Sequence, residues 1–159
     1  MPRKVTKSLV RPVEPDRIYN SKTVAKLINR VMHDGKKQTA ERLVYNGLQK
    51  AAGQLKVQNP LEVFEQALKN IQPHLETRSR RVGGANYQIP FEVKGQRQQH
   101  LAIMWFVAAA RDRKGMSMED RVAAELVDAY SNGGAAVKKK EDTHRMAEAN
   151  RAFAHIGRS

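Results

Sequence analysis

Apolar residues recur along this chain with two different periods, and each period predicts a different kind of element. Through most of the sequence they return every three or four positions, which is the spacing of one face of an α-helix. From Tyr87 to Val93 they alternate with polar residues or proline, the spacing of a half-buried strand. The pattern predicts a mainly α protein, a bundle of about six helices. A two-stranded antiparallel β-ribbon, residues 74–94, is predicted to protrude between helices three and four.

The first three predicted helices have local start and stop signals. Ser21 can cap the first helix, and Asp34-Gly35 ends it. The second helix carries Gly47 on its apolar face, where the missing side chain favours close packing against another helix. Asn59 caps the third helix, and a proline follows it in the first helical position.

The later helices are predicted from similar signals. The fourth, from about Gln96 to Arg113, is apolar nearly all round from Leu101 to Ala110, which is typical of a central helix surrounded by others. Residues Ser117 to Asp120 form a capping box that begins a fifth helix. The last helix is predicted to run from about Ala136, with Met146, Ala147, Phe153 and Ala154 as its packing residues.

Composition narrows the class of protein. The 159 residues are enough for one domain with a real core, which we take as 1–159 with residues 1–20 as a basic N-terminal arm. A mean hydropathy of −0.66 disfavours a membrane protein. Met1 to Lys4 leads into no apolar segment, so no secretory leader is expected. The absence of cysteine excludes disulfides, thiol catalysis and cysteine-bound zinc.

The net charge of +13 is unevenly distributed. Residues 1–37 hold ten basic and three acidic residues, whereas residues 38–76 hold four of each. Residues 77–97 have a net charge of +4, residues 98–137 of −1, and residues 138–159 of +3. Clustered cations repel one another unless a partner neutralises them. Three basic regions around a neutral body therefore favour a polyanionic partner over a merely solvated surface.

No catalytic or metal-binding motif is found. Gly35-Lys36-Lys37 fails as a phosphate-binding loop because Lys37 stands where serine or threonine is needed. The histidines lack metal-ligand spacing, and His144 with Glu148 gives only two ligands, more typical of an exposed polar pair. A triad assembled from distant residues stays open. We expect a protein that is not an enzyme and that uses no cofactor or metal.

The predicted ribbon holds the chemistry that suits a nucleic acid. Three arginines precede the Gly83-Gly84 turn, and the planar guanidinium grips phosphate and stacks on bases. Tyr87 could stack on an unpaired base, but packing at the root of the ribbon is the favoured interpretation. Pro90 cannot donate a ladder hydrogen bond, which suits a strand with one free edge.

These motifs together resemble the bacterial small-subunit ribosomal protein seven family, over essentially the whole chain. The matching residues are Leu27-Ile28, Asp34 to Lys37 and Leu43-Val44; Ser79 to Gly84 with Tyr87 to Pro90; and Ala136 to Asp142, His144 to Asn150 and Ala152 to His155. Gly47 and Gln98-Gln99 depart from the family pattern. The first looks like a packing change, and the second implies weaker RNA contact from the start of helix four.

The resemblance implies a structural constituent of the small ribosomal subunit. Proteins of this family bind the 3′ major domain of the small-subunit ribosomal RNA (rRNA) and nucleate assembly of the head. They lie near the exit-site tRNA and the mRNA path, and beside small-subunit ribosomal proteins nine and eleven. No membrane or homo-oligomer is implied. The expected location is the ribosome in the cytoplasm, with an organellar ribosome left open.

Candidate contact residues fall into two sets, combining the basic regions with the resemblance. The expected rRNA-binding residues are Arg3, Lys4, Lys7, Arg11, Lys22, Lys26, Arg30, Lys36, Lys37, Arg97, Arg111, Arg113 and Lys114. For the last three, interaction with the helix dipole is an equal alternative. The expected tRNA- and mRNA-proximal residues are Arg78, Arg80, Arg81, Gly83, Gly84, Lys138, Lys139, Lys140, Arg145 and Arg151.

Two other functions compete with this interpretation. An architectural DNA-binding protein could place an arginine-rich β-ribbon in the minor groove. An RNA-modifying enzyme would need a cofactor pocket, for which the sequence has no motif.

Overall fold

A computed structural model describes the backbone of residues 12–158 and the side chains of residues 12–154. Within that range six α-helices enclose the core, and a two-stranded ribbon lies between the third and fourth, as predicted. The elements in chain order are α1 (Lys22–Val31), α2 (Lys37–Leu55), α3 (Pro60–Ile71), β1 (Leu75–Val82), β2 (Ala85–Glu92), α4 (Gly95–Asp112), α5 (Met118–Tyr130), α6 (Gly134–Ala149) and a C-terminal 3₁₀ helix (Arg151–Arg158).

Three helices begin where their capping residues predict. The Ser21 hydroxyl accepts a hydrogen bond from the Val24 amide at 3.4 Å, and the Asn59 side chain accepts from the Leu61 amide at 3.0 Å. Ser117 accepts from the Asp120 amide at 3.3 Å. Each cap satisfies a backbone donor that the helix itself leaves unpaired, an effect worth about 1 kcal/mol.

Helix α4 is the central helix, which confirms the prediction from its all-round apolar pattern. It packs against α1, α3, α5 and α6. Ala102, Phe106 and Ala110 are completely buried on it. Even so, no helix within residues 12–158 has the length and apolar character needed to cross a membrane.

Gly47 brings α2 and α5 into close contact, again as predicted. A Cβ atom at this position would lie 2.8 Å from Cγ1 of Val122 and 3.2 Å from the Glu119 carbonyl oxygen. Both distances are shorter than ordinary contacts, so a side chain would force the two helices apart.

The ribbon is anchored at one end and exposed at the other. Its strands pair in antiparallel register from Leu75 opposite Glu92 to Val82 opposite Ala85. Gly83 and Gly84 have φ values of +58° and +90°, which suits a two-residue hairpin turn. Ile89 is completely buried at the root. The strands' period-two pattern thus fixes the ribbon to the bundle while its tip extends into solvent.

The last helix differs from the prediction, since α6 ends at Ala149 and does not include Phe153 and Ala154. Asn150 interrupts it, with both its backbone and its side-chain amide donating to the Met146 carbonyl, at 3.1 and 2.8 Å. Such local side-chain bonding favours helix ends. The chain then turns into the 3₁₀ helix, which packs on β2 and places the Phe153 ring 5.3 Å from that of Tyr87.

Candidate nucleic-acid interface

Helix α1 and the turn after it present a row of cations. Lys22, Arg30, Lys36 and Lys37 are exposed, whereas Lys26 is half-buried and donates to Oε1 of Gln99 at 2.6 Å. The two turn lysines lie at the start of α2, where unpaired backbone N–H groups and the helix dipole also attract anions. The predicted contacts Arg3, Lys4, Lys7 and Arg11 lie outside the described residues.

The end of α4 joins this row through a contact between distant residues. Nη2 of Arg111 donates to the Arg30 carbonyl oxygen at 3.2 Å, which bonds the end of α4 to the end of α1. Arg111 itself remains exposed, as does Lys114 just beyond α4. The fold therefore brings Arg111, at the end of α4, next to Arg30 of α1. We call the cations of α1, of the turn after it and of the end of α4 the body surface: Lys22, Lys26, Arg30, Lys36, Lys37, Arg111 and Lys114.

Arg113 lies beside these cations but faces two acidic side chains. Its Nε and Nη2 donate to Oε2 of Glu125 at 2.9 and 2.7 Å, and Nη2 also bonds Asp128. Glu125 is completely buried. Most donors of Arg113 therefore bond acidic side chains of the protein itself. The sequence had suggested either an interaction with the helix dipole or a contact with phosphate.

A buried carboxylate organises the arginines at the root of the ribbon. Glu76 accepts from Nε of Arg78 at 2.6 Å and from Nη2 of Arg97 at 3.0 Å. Burial raises the pKa of Glu76, but the hydrogen bonds and positive charges of the two arginines together lower it by more, so that its net pKa lies below the usual value. The guanidinium of Arg78 also lies 5.5 Å from the centre of the Phe91 ring. Glu76 thereby holds two predicted contact residues in place.

A second group of exposed residues, which we call the ribbon surface, lies on the ribbon, α6 and the start of the 3₁₀ helix. Helix α6 packs against both strands. The exposed members of this surface are Arg78, Arg80, Arg81, Gly83, Gly84, Lys138, Lys139, Arg145 and Arg151. Arg145 pairs with Asp142 at 3.3 Å, a surface contact of little energetic weight.

Lys140 and Tyr87 have roles inside the protein. Nζ of Lys140 donates to the Asn70 carbonyl oxygen at 2.6 Å, where it satisfies a free carbonyl near the end of α3. The contact between Tyr87 and Phe153 confirms that this tyrosine packs, although its partner is the 3₁₀ helix and not the ribbon root.

A pair of histidines connects the ribbon root to α6. The sequence pattern places His144 beside Glu148 and does not predict its contact with His74. The His74 backbone N–H donates to Nε2 of His144 at 3.0 Å, and the His74 ring contacts the Gln98 amide at 3.2 Å. Burial, and then the neighbouring His74 and Lys140, lower the pKa of His144. A neutral His144 ring is required, because a protonated ring cannot accept this hydrogen bond.

Comparison with known proteins identifies the family of this chain. Residues 2–151 match the family described as ribosomal protein S7p/S5e. The chain is 57% identical over 148 residues to small ribosomal subunit protein uS7 of Chloroflexus aggregans, covering 93% of this chain and 94% of that protein. It is 53% identical over 145 residues to the uS7 of Protochlamydia amoebophila, covering 91% and 92%. The identity to the uS7 of Thermotoga petrophila is 56% over 146 residues, covering 92% and 94%. A match of this extent, on a helical bundle with a basic ribbon, shows that the chain belongs to the ribosomal protein S7p/S5e family.

Proposed function

We propose that this protein is a structural constituent of the small ribosomal subunit that binds rRNA directly and nucleates assembly of the head around the 3′ major domain. Membership of the family supports this role, and the relatives are named as small-subunit proteins. The observation that carries the proposal is the separation of exposed cations into a body surface and a ribbon surface. The role is structural and not catalytic, and it places the protein in the ribosome.

The body surface is the proposed rRNA anchor. Affinity for RNA depends largely on phosphate neutralisation, and lysine and arginine from α1, the turn and the end of α4 supply it. The basic arm with Arg3, Lys4, Lys7 and Arg11, together with Arg97 at the start of α4, extends the proposed anchor. Arg113 is left out of it, because Glu125 and Asp128 occupy its guanidinium.

The ribbon surface is proposed to face the exit-site tRNA and the mRNA path. Its support is the exposure of Arg80, Arg81 and the glycine turn at the ribbon tip, and of Lys138 and Lys139 on α6, a helix that packs against both strands. Small-subunit proteins nine and eleven are the proposed protein neighbours, and we propose no homo-oligomer.

The salt dependence of RNA binding tests the anchor. The wild-type Kd for a transcript of the 3′ major domain should rise with salt, with log affinity falling by about 0.7 to 0.9 per phosphate neutralised for each unit of log salt. Lys36→Ala/Lys37→Ala should weaken binding and reduce this slope. Arg42→Ala/Lys69→Ala removes the same charge from exposed positions outside both surfaces and is the matched control.

Three outcomes would contradict the proposal. They are a Kd independent of salt, equal competition by duplex DNA, and equal effects of the lysine-turn variant and its control.

Arg80→Ala/Arg81→Ala should retain rRNA binding and instead weaken exit-site tRNA binding by reconstituted subunits.

A further inference from the structure

A cleft of about 380 Å³ lies between α1 and α4, within the body surface. Asn29 and Arg30 line it from α1, while Gln96, His100 and Met104 line it from α4. The α4 residues are spaced four apart and therefore share one helix face. The volume is near the lower end of ligand sites, roughly 300–1,000 Å³, and suits one nucleotide but not a helix.

Hydrogen bonds between α1 and α4 hold the two sides of the cleft together at both ends. Near one end Gln99 accepts from Lys26 at 2.6 Å and donates to Thr23 at 2.9 Å. Beyond the other end Arg111 donates to the Arg30 carbonyl oxygen at 3.2 Å. These contacts join α4 to α1 on both sides of the cleft, so that the site is preformed. They also give Gln99, a departure from the family pattern, a definite structural role.

The lining combines three kinds of group that a nucleotide needs. Ile103 is buried and Met104 half-buried, which gives an apolar floor. The exposed amides of Asn29 and Gln96 can each donate and accept, and within the described residues they have no intramolecular hydrogen bond. Arg30 supplies an exposed guanidinium for a phosphate.

We propose that this cleft binds a single unpaired nucleotide of the rRNA, whose base enters between α1 and α4 while Arg30 holds its phosphate. The inference rests on the proposed rRNA-binding function and adds a site that reads a base. Phosphate contacts alone would use the cations but leave the two amides and the apolar floor without a role. Sequence-specific RNA recognition uses such unstacked bases, contacted through their edges and faces.

The test removes the base-reading groups without removing charge. Asn29→Ala/Gln96→Ala, made in the full chain, should raise the Kd for the 3′ major domain transcript by about ten-fold, the typical effect of losing good base contacts. Its salt dependence should match that of the wild type. Arg30→Ala should instead reduce the salt slope by about 0.7 to 0.9.

An abasic scan of the unpaired nucleotides in the transcript identifies the occupant. At one position, loss of the base should weaken wild-type binding by about ten-fold, yet leave binding by Asn29→Ala/Gln96→Ala unchanged. Gln54→Ala/Gln58→Ala removes two exposed amides elsewhere and should bind like the wild type.

Both side chains of the test variant are exposed, so folding should be preserved. Binding by Asn29→Ala/Gln96→Ala equal to that of the control would overturn the cleft proposal and leave the proposed function standing. The cleft proposal would also be overturned if loss of the base, at every position tested, weakened binding by the variant as much as it weakened binding by the wild type. Failure of the wild type to bind the transcript in a salt-dependent way would overturn both the cleft and the proposed function.

Discussion

The carboxylate of Glu125 joins the guanidinium of Arg113 to the start of α6. Its Oε2 accepts from Arg113 at 2.9 and 2.7 Å, and its Oε1 accepts from the Ala136 backbone N–H at 3.0 Å. Glu125 is completely buried, so each of its bonds replaces one that water would otherwise make. One side chain therefore fixes the end of α4 and the start of α6 against α5.

Replacing Glu125 should destabilise the bundle strongly. Glu125→Ala leaves the Ala136 N–H without its acceptor and Arg113 with Asp128 as its remaining acidic partner. Breaking a buried ion pair in this way typically costs about 3–5 kcal/mol. The free energy of unfolding in urea measures it. Glu65→Ala, at an exposed position of α3, is the control and should change stability by no more than about 0.5 kcal/mol. Equal stability of the two variants would show that the buried ion pair has no such role.

Two glycines of the same helix should respond oppositely to alanine. Gly47→Ala places a Cβ 2.8 Å from Val122, and such overpacking typically costs about 1–3 kcal/mol. Gly53 has nothing within 4 Å of an added Cβ, so Gly53→Ala should stabilise α2 by about 0.5–1 kcal/mol. Thermal or urea unfolding distinguishes them. The cost of Gly47→Ala should be smaller in a Val122→Ala background than in the wild type, and an equal cost in both would refute a clash with the Val122 side chain.

The acid sensitivity of the ribbon root should depend on Glu76. Burial raises its pKa, but the hydrogen bonds and positive charges of Arg78 and Arg97 together lower it by more, so that the pKa lies below the usual value in the folded protein. Ionised Glu76 therefore stabilises the folded protein. This stabilisation is present above the unfolded pKa of 4.5 and is lost as the pH falls through the folded pKa. Glu76→Gln should be less stable than the wild type at pH 7, and the difference should shrink below pH 4.5. A difference that does not change with pH would contradict this account.

A second pH dependence should arise from His144. Its pKa is lowered by burial, and then by His74 and Lys140, so the folded state favours the neutral ring. The stability contribution is complete above the ordinary pKa of 6.5 and decreases as the pH falls through the folded pKa. In His144→Ala the free energy of unfolding in urea should no longer show this decrease, whereas His33→Ala, at an exposed site, should still show it. Equal pH profiles for both variants would exclude His144 as the source.

Much of the architecture follows from the sequence alone, because its signals act between near neighbours. Ser21, Asn59 and Ser117 each cap a helix through an amide two or three residues away. The alternation through Ile89 defines a strand by the geometry of the backbone itself. The apolar residues on all sides of α4 likewise predict a central helix, because a helix without a polar face has to be covered by other elements.

The tertiary structure decides which charged groups remain available for a partner. Arg113 and Lys140 look like their exposed neighbours in the sequence, yet Glu125 and the Asn70 carbonyl, 12 and 70 residues away, occupy their donors. The cleft between α1 and α4 depends in the same way on the contact from Arg111 to Arg30, 81 residues apart. Local periodicity thus determined the helices, the ribbon and the excess of positive charge. Only packing between distant segments decided which cations stabilise the fold and which can face RNA, because a hydrogen-bond partner is set by proximity in space.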